Sequence, residues 1–319
     1  MSLLKINNLT TTIPTRNGKL NAVNDISFSI ASGEVAALVG ESGSGKSMTA
    51  RSIMGLVPSP GYIASGSISF AGQELTSLGK DGLRSLRGND IAMIFQEPMT
   101  SLNPLLKIGE QIIEPLLLHL NLARKTAIEK AVQLLLQVGI TNPLQRINDY
   151  PHQLSGGMRQ RIMIAMALAC DPKLLIADEP TTALDVTIQA QILAVIDQLR
   201  KNTGMAMLLI THDLGIVAER ADKVHVMYAG RIVESATANE LFTNPLHPYT
   251  KGLLASLPEN AVPGKPLFTI KGQPTTVYAD YAGCPFRSRC AEVMEQCAVA
   301  MPDACMASKT HQVCCWRHQ

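Results

Sequence analysis

The sequence predicts an α/β protein with a buried parallel sheet, followed by a small cysteine-rich C-terminal extension. At residues 35–55 an apolar run leads into a glycine-rich loop and then into a helical pattern, and a second apolar run at 174–177 ends in two adjacent carboxylates. Both runs are short and continuously apolar, which is typical of parallel strands covered on both faces. The extension is predicted because six of the seven cysteines lie after residue 283.

Composition limits the classes to which this chain can belong. Its 319 residues are 46% hydrophobic, enough to bury a substantial core in a main domain with an appendage. A net charge of +2 provides no basic stripe, so we expect no nucleic-acid partner. The first residues lack the apolar stretch of a signal peptide, and runs such as 162–170 are about half of the roughly 20 residues that span a membrane. We therefore expect a cytoplasmic protein whose membrane role is at most peripheral.

The glycine-rich loop matches a phosphate-binding P-loop. Its glycines allow successive N–H groups to face one anion, and the following helix adds the partial positive charge of its N-terminus. Lys46 can reach the outer phosphates, and Ser47 can offer its hydroxyl to magnesium. A glycine-rich turn before an ordinary helix is the alternative, but strand, loop and helix occur in the order that phosphate binding needs. The predicted nucleotide-binding residues are Gly40, Glu41, Ser42, Gly43, Ser44, Gly45, Lys46 and Ser47.

The second apolar run delivers Asp178 and Glu179 at its carboxyl end, the edge where ligands of open α/β sheets gather. Two charges are costly at the end of a buried strand unless they have a function. Asp178 is therefore the predicted magnesium ligand, and Glu179 is the predicted base that polarises the attacking water. The alternative is a solvated turn before Pro180.

With the segment "LSGG" at 154–157, the chain resembles the ATP-binding-cassette (ABC) ATPases over roughly residues 1–245. The resemblance implies a P-loop NTPase cassette with a RecA-like core, an antiparallel β subdomain and a helical subdomain at about 98–152, where the apolar residues have helical spacing. In that family two cassettes pack head to tail, and the signature of one closes on the γ-phosphate held by the other. The signature here is Ser155, Gly156 and Gly157, of which Ser155 can cap the following helix.

Three further positions match motifs of the same family, and a fourth, Ile13, departs from its pattern. The resemblance implies that Gln96 senses magnesium and relays to a membrane subunit, and that Asp185 lies in a loop crossing the dimer interface. It also implies that His212 is the switch residue contacting the γ-phosphate, although a histidine after a strand could be an ordinary strand-end residue. Ile13 stands near the usual place of the aromatic residue that stacks on adenine, so weaker aliphatic contact is expected.

The segment "NPLHPYTKGLLASLPE" at 244–259 resembles the start of the C-terminal extension of dipeptide and oligopeptide importer ATPases. The resemblance implies an ATPase that uses ATP and Mg²⁺ to power peptide import on the cytoplasmic side of the inner membrane. Its implied partners are a second ATPase subunit, which we expect to be a paralogue, two transmembrane permease subunits and a periplasmic or surface solute-binding protein. The predicted domains are a cassette at 1–245 and an extension at 246–319.

Two alternatives to peptide import stay open. The same family includes nickel and glutathione importers, so the cargo can be nickel, glutathione or another small solute. A soluble ABC ATPase of DNA repair or translation is the alternative from a different class. Such proteins usually carry a long coiled-coil insertion or two cassettes in one chain, and this chain has one uninterrupted cassette.

The cysteine array predicts metal binding or redox chemistry, because stable disulfides are rare in the cytosol. Cys284, Cys290 and Cys297 are separated by five and six residues, and Cys315 follows after seventeen. This pattern is similar to the extension of the importer family, in which some members hold a [4Fe–4S] cluster, and four thiolates are its usual ligands. Structural zinc and free thiols are the alternatives, although zinc ligands usually come in tighter pairs.

Two further cysteines, Cys305 and Cys314, are then spare, and Cys314 could replace its neighbour Cys315 as the fourth ligand. The extension has little apolar area of its own, so a structural metal would contribute to its folding. We also expect the extension to loosen without disturbing the P-loop, which would belong to a separately folded core.

Overall fold

The computed structural model of the protein describes residues 2–96, 101–180, 186–258 and 268–319. The chain divides into two compact units, each with its own set of strands and helices. The helical unit contains Ala31–Glu34 and Leu78–Leu208, and the P-loop unit contains Ser2–Ile30, Val35–Ser77 and Leu209–Gln319.

Strands and helices are interspersed along the described chain, which is typical of an α/β fold. The strands are β1 (Ser2–Thr15), β2 (Gly18–Ala31), β3 (Val35–Val39), β4 (Tyr62–Phe70), β5 (Gln73–Glu74), β6 (Ile91–Ile94), β7 (Leu174–Asp178), β8 (Ala206–Ile210), β9 (Lys223–Tyr228), β10 (Arg231–Thr237), β11 (Cys305–Met306) and β12 (Gln312–Val313). The helices are α1 (Lys46–Ile53), α2 (Lys80–Leu86), α3 (Ile108–His119), α4 (Arg124–Gln137), α5 (Pro143–Arg146), α6 (Gly156–Ala167), α7 (Val186–Thr203), α8 (Leu214–Arg220), α9 (Ala238–Thr243), α10 (Pro248–Ala255) and α11 (Gln296–Val299). Short 3₁₀ turns cover Pro151–Gln153 and Trp316–His318.

The P-loop unit contains the antiparallel sheet that the resemblance to ABC ATPases predicts. Its strands lie in the order β2, β1, β4, β5. Five strands of a second sheet lie in the order β11, β12, β10, β9, β3. Within it β3 and β9 are parallel, with Val39 opposite Val226. All five residues of β3 are buried, which explains why its sequence is continuously apolar.

The end of the chain adds two strands, β11 and β12, to this second sheet. β12 pairs antiparallel with β10, with Glu234 opposite Val313, and β11 pairs with β12. Cys284, Phe286 and Cys297 also lie in one buried cluster with Ala37 and Val39 of β3. The extension therefore shares a core with the P-loop strand β3, whereas the sequence led us to expect a P-loop in a separately folded core.

A buried carboxylate on β10, that of Glu234, forms hydrogen bonds with residues of the extension. Glu234, whose side chain is fully buried, accepts hydrogen bonds from Leu246 N at 2.7 Å and His247 N at 2.9 Å. Its Oε1 atom also lies 2.7 Å from His311 Nε2. A buried carboxylate is tolerated only when its oxygens are satisfied in this way.

The helical unit holds β6 and β7 as parallel neighbours, with Ile91 opposite Leu174 and Ile94 opposite Ala177. The helices α3, α4 and α6 pack on one another through buried residues that recur at helical spacing. The described helices between Ile108 and Arg146 lie inside the segment 98–152 that was predicted to be helical. None of the helices in the described ranges has the length and apolar character needed to cross a bilayer.

Candidate functional site

The P-loop backbone has the conformation that its glycines allow. Gly40, Gly43 and Gly45 have φ values of 149°, 78° and 107°. A Cβ atom would lie 2.1 Å from Met227 O if added to Gly40, and 2.3 Å from Ala22 O if added to Gly45. Any larger residue at these two positions would therefore distort the loop.

The loop ends at the N-terminus of α1, where the first N–H groups have no acceptors within the helix. Lys46 is 6% exposed, and its Nζ donates to Gly40 O at 2.8 Å and to Glu41 O at 2.9 Å. Ser44 Oγ lies 3.4 Å from the same Nζ, and Ser47 is half-buried in the first turn of α1. The P-loop unit thus combines a buried cation with the N-terminus of a helix, an arrangement that is typical of phosphate-binding sites.

The predicted carboxylates lie in the helical unit, at the carboxyl end of β7. Asp178 is 3% exposed, whereas Glu179 is half-buried and has a φ of 47°. Gln96, two residues beyond β6, donates from Nε2 to Glu179 Oε2 at 2.9 Å. The parallel register brings these two residues side by side, so the structure joins the predicted sensor to the predicted base.

The signature residues begin α6 in the helical unit. Ser155 is the N-cap, and its Oγ accepts from Met158 N at 3.4 Å, as the sequence predicts. Ser155 and Gly156 are exposed and Gly157 is half-buried, while a Cβ atom on Gly156 would meet no atom within 4 Å. The helix N-terminus is therefore accessible to an anion from outside the unit.

Sequence reasoning missed Gln160, a buried residue of α6. It is 1% exposed, and its Nε2 donates to the carbonyl oxygen of Pro180. This contact ties the signature helix to the residue that follows Glu179. The signal in the sequence was a polar residue two positions before the apolar run that begins at Ile162, on a helix whose other buried side chains are apolar.

Three predicted nucleotide contacts remain. His212 is exposed beyond β8 in the P-loop unit, next to Asp213, which caps α8 by accepting from Gly215 N at 3.0 Å. Ile13 is half-buried on β1. Asp185 lies outside the described residues.

The four cysteines predicted as ligands line one small cavity in the P-loop unit, together with His247 and Trp316. Cys284 and Cys297 are buried, and Cys284 N donates to Cys297 O at 2.8 Å. Burial raises the pKa of the Cys284 thiol to about 11 and also raises the pKa values of Cys290 and Cys315. Burial therefore favours the neutral thiol form of Cys284, Cys290 and Cys315.

Cys314 does not share that cavity. It lines a separate polar pocket with Arg231 and Asp303, and burial raises the pKa of its thiol to about 11. In the described ranges, no three or more His, Cys, Asp or Glu side chains are grouped closely enough to hold a metal ion. The four predicted cysteines share one cavity, but this geometry by itself shows neither iron–sulfur nor zinc ligation.

The chain is a P-loop nucleotide-binding protein. It has an apolar strand, a glycine-rich loop and a helix that begins with lysine, and a second buried strand ends in carboxylates. Comparison with known proteins narrows the class. The family described as "ABC transporter" matches residues 23–182, and the family described as "Oligopeptide/dipeptide transporter, C-terminal region" matches residues 233–297. The chain therefore belongs to the ABC transporter ATP-binding proteins of the dipeptide/oligopeptide type, which confirms the resemblance predicted from its motifs.

Individual relatives match over nearly the whole chain. The dipeptide transport ATP-binding protein DppD of Bacillus subtilis is 48% identical over 315 residues, covering 98% of this chain and 94% of the relative. The oligopeptide transport ATP-binding protein OppD of Escherichia coli is 49% identical over 301 residues, covering 94% of this chain and 89% of the relative.

Solved structures support the cassette fold. A dimeric ATP-binding cassette in a post-hydrolysis state bound to ADP and Pi has a TM-score of 0.67 and 26% identity to this chain. The match covers 74% of this chain and 98% of that cassette.

Proposed function

We propose that this chain is the ATP-hydrolysing subunit of an ABC transporter that imports di- or oligopeptides at the inner face of the cytoplasmic membrane. The observation that carries the proposal is the match to peptide-transport ATP-binding proteins over the P-loop segment and the C-terminal segment together. The proposed partners are a paralogous second ATPase subunit, two transmembrane permease subunits and a solute-binding protein. The proposed domain boundaries are 1–245 for the cassette and 246–319 for the extension.

The P-loop side chains have distinct roles in this proposal. The backbone of Gly40–Ser47 surrounds the β- and γ-phosphates, and Lys46 turns from its own loop carbonyls to the outer phosphates. Ser47 Oγ and the carboxylate of Asp178 would each offer an oxygen ligand to Mg²⁺, which would neutralise charge on the phosphates. Ile13 provides aliphatic contact to the adenine.

Glu179 acts as the general base. Its carboxylate accepts a proton from the attacking water, and the hydrogen bond from Gln96 fixes which oxygen is presented. Gln96 would sense bound Mg²⁺ and relay this change to a permease subunit. His212, exposed beyond β8, contacts the γ-phosphate.

The exposed N-terminus of α6 acts on a second cassette. Ser155, Gly156 and Gly157 offer their hydroxyl and N–H groups to the γ-phosphate bound by the partner's P-loop, and Asp185 lies at the same interface. ATP then closes the pair because it contacts both surfaces only in the closed state.

We also propose that Cys284, Cys290, Cys297 and Cys315 hold a [4Fe–4S] cluster. Their common cavity supports the proposal, since a cluster needs four thiolates at one place. A single zinc ion requires thiolates about 3.8 Å apart, given Zn–S bonds of about 2.3 Å, and no such group is found among the described residues. A bound cluster would cross-link the extension and lower the raised thiol pKa values.

Transport assays with the reconstituted complex test the proposed cargo. The four-subunit transporter is placed in vesicles with its solute-binding protein, and ATP hydrolysis is measured with a tripeptide, glutathione or Ni²⁺ as the added solute. Stimulation by the tripeptide alone supports peptide import. Stimulation only by glutathione or Ni²⁺ would replace peptide as the cargo, and Glu179→Gln serves as the hydrolysis-deficient control.

A further inference from the structure

The side chain of Glu41, the second residue of the P-loop, is held by an arginine from the C-terminal extension. Arg289 Nη1 donates to Glu41 Oε2 at 2.6 Å, and Arg289 Nη2 donates to Glu41 Oε1 at 2.9 Å. The Arg289 side chain is only 3% exposed, and that of Glu41 is 28% exposed. A bidentate arginine–carboxylate pair of this kind fixes orientation as well as charge.

Arg289 is itself held in place by the extension and by β9. Its Nε donates to Lys271 O at 3.0 Å, and its Nη2 lies 3.3 Å from Ile270 O. Its Nη1 lies 3.4 Å from Tyr228 Oη, and the guanidinium carbon is 5.8 Å from the centre of the Tyr228 ring. The hydrogen bonds that Arg289 donates to Glu41 raise the pKa of Arg289. The guanidinium is therefore a fixed, permanent charge.

A second residue near the start of the extension holds the backbone of the same P-loop position. Glu41 N donates to Tyr249 Oη at 2.8 Å, and Tyr249, on α10, is fully buried. Burial raises the pKa of the Tyr249 phenol, so it stays neutral and can accept this bond. Both the main chain and the side chain of Glu41 are thus fixed by residues after position 245.

Glu41 introduces a negative charge into a loop that must receive a polyphosphate, and like charges at short range weaken binding. The geometry points to Arg289 as a positioning residue of the nucleotide site, which neutralises and orients Glu41 so that the extension sets the affinity of the P-loop for ATP. This inference rests on the proposed role of the P-loop as the ATP site.

Titration of the purified full-length chain with a fluorescent ATP analogue tests the inference. Arg289→Gln should raise the dissociation constant about three- to tenfold, because Glu41 is left uncompensated. The double variant Arg289→Gln with Glu41→Gln should return it to within about twofold of the original value. Added salt should reduce the effect of Arg289→Gln on the dissociation constant, because salt screens the partly exposed carboxylate of Glu41.

Arg287→Gln is the matched control, two residues away on the same segment. Arg287 Nη1 donates to Ala282 O at 2.7 Å and to Ala298 O at 3.1 Å, both within the extension. Its replacement disturbs the extension without removing a partner from Glu41, so ATP affinity should not change. An equal loss of affinity in Arg287→Gln would show that only general stability of the extension matters, and would overturn the inference.

Other outcomes separate this inference from the proposed function. Unchanged affinity in a folded Arg289→Gln variant, or no recovery in the double variant, would overturn the role of Arg289. If Arg289→Gln does not fold, Glu41→Gln alone is measured: it leaves an unneutralised guanidinium beside the loop and should lower the dissociation constant about two- to threefold. Unchanged or weaker binding there would overturn the inference. Failure of the unaltered chain to bind the analogue would instead contradict the proposed function.

Discussion

Gln96 and Glu179 are neighbours because β6 and β7 are parallel and in register. Ile94 lies opposite Ala177, and two residues further on Gln96 Nε2 donates to Glu179 Oε2 at 2.9 Å. The base proposed for hydrolysis is therefore held by the residue proposed to relay to a permease subunit. Hydrolysis and relay can be coupled through this one hydrogen bond.

Replacement of the base should separate ATP binding from hydrolysis. Glu179→Gln should abolish turnover in the assembled transporter, with at least about a hundredfold loss, and leave ATP affinity within about twofold, because the phosphate contacts of the P-loop remain. Phosphate release and equilibrium ATP binding are the two measurements. Near-normal turnover would remove Glu179 from the role of base.

Loss of the side chain that orients the base should have a smaller effect. Gln96→Ala should lower kcat of the assembled transporter about tenfold with little change in ATP affinity, because Glu179 loses its donor but keeps its carboxylate. Stimulation by the loaded solute-binding protein should fall as well. A normal kcat together with normal stimulation would show that the bond between Gln96 and Glu179 has no part in the cycle.

The isolated chain should hydrolyse ATP slowly. Its signature at the N-terminus of α6 and its P-loop would each need a partner cassette to complete a site, so turnover per chain should rise with protein concentration or on addition of the second ATPase subunit. Phosphate release measured across a dilution series, with the mass of the species checked by light scattering, gives the answer. Rapid turnover by a demonstrated monomer is incompatible with this prediction.

Protein purified without oxygen should be brown and contain iron and sulfide. Replacement of Cys284, Cys290, Cys297 or Cys315 by alanine should remove more than about one quarter of the iron, because a cluster with an open iron is attacked by water or oxygen. Cys314→Ala is the control, since Cys314 lies outside the cysteine cavity. Stoichiometric zinc in a colourless preparation would indicate a zinc site, and a metal-free preparation would leave free thiols.

The same cysteine variants should also weaken ATP binding. The sequence led us to expect that the P-loop would be spared, but Cys284 and Cys297 share a buried cluster with the P-loop strand, and Arg289 reaches Glu41. The loss of affinity should approach that of Arg289→Gln. Unchanged affinity in a variant that has lost its metal would show that the two regions are independent.

Buried His225 should make the protein sensitive to acid. Burial lowers its pKa to about 4 from the usual 6.5, so the folded state binds its proton less readily than the unfolded chain does. Its contribution to stability is present above pH 6.5 and is lost as the pH falls towards 4, at about 1.4 kcal/mol per pH unit. In urea unfolding between these values, His225→Asn should reduce the slope of stability against pH by about that amount. The exposed His152→Asn should not, and equal slopes in His225→Asn and the unaltered protein would contradict the assignment.

Local signals in the sequence were sufficient to predict the strand, loop and helix of the P-loop, the carboxylates that end β7 and the cap at Ser155. Each depends on residues within a few positions of one another, where backbone conformation and burial pattern are set by neighbouring residues. The family could be predicted for the same reason, since its motifs are short and occur in order.

The tertiary structure alone decided the contacts of the extension. Arg289 and Glu41 are 248 residues apart, and neither has a neighbour in sequence that indicates the other. The short strands β11 and β12 have almost no pattern of their own, because two residues cannot show an alternation, and they form by pairing onto β10. Cysteine spacing predicted a common site for four thiols. The fold after β12 places the Cys315 side chain, rather than that of Cys314, in the cysteine cavity. Such choices depend on which buried surfaces meet when the chain folds, and local sequence does not contain that information.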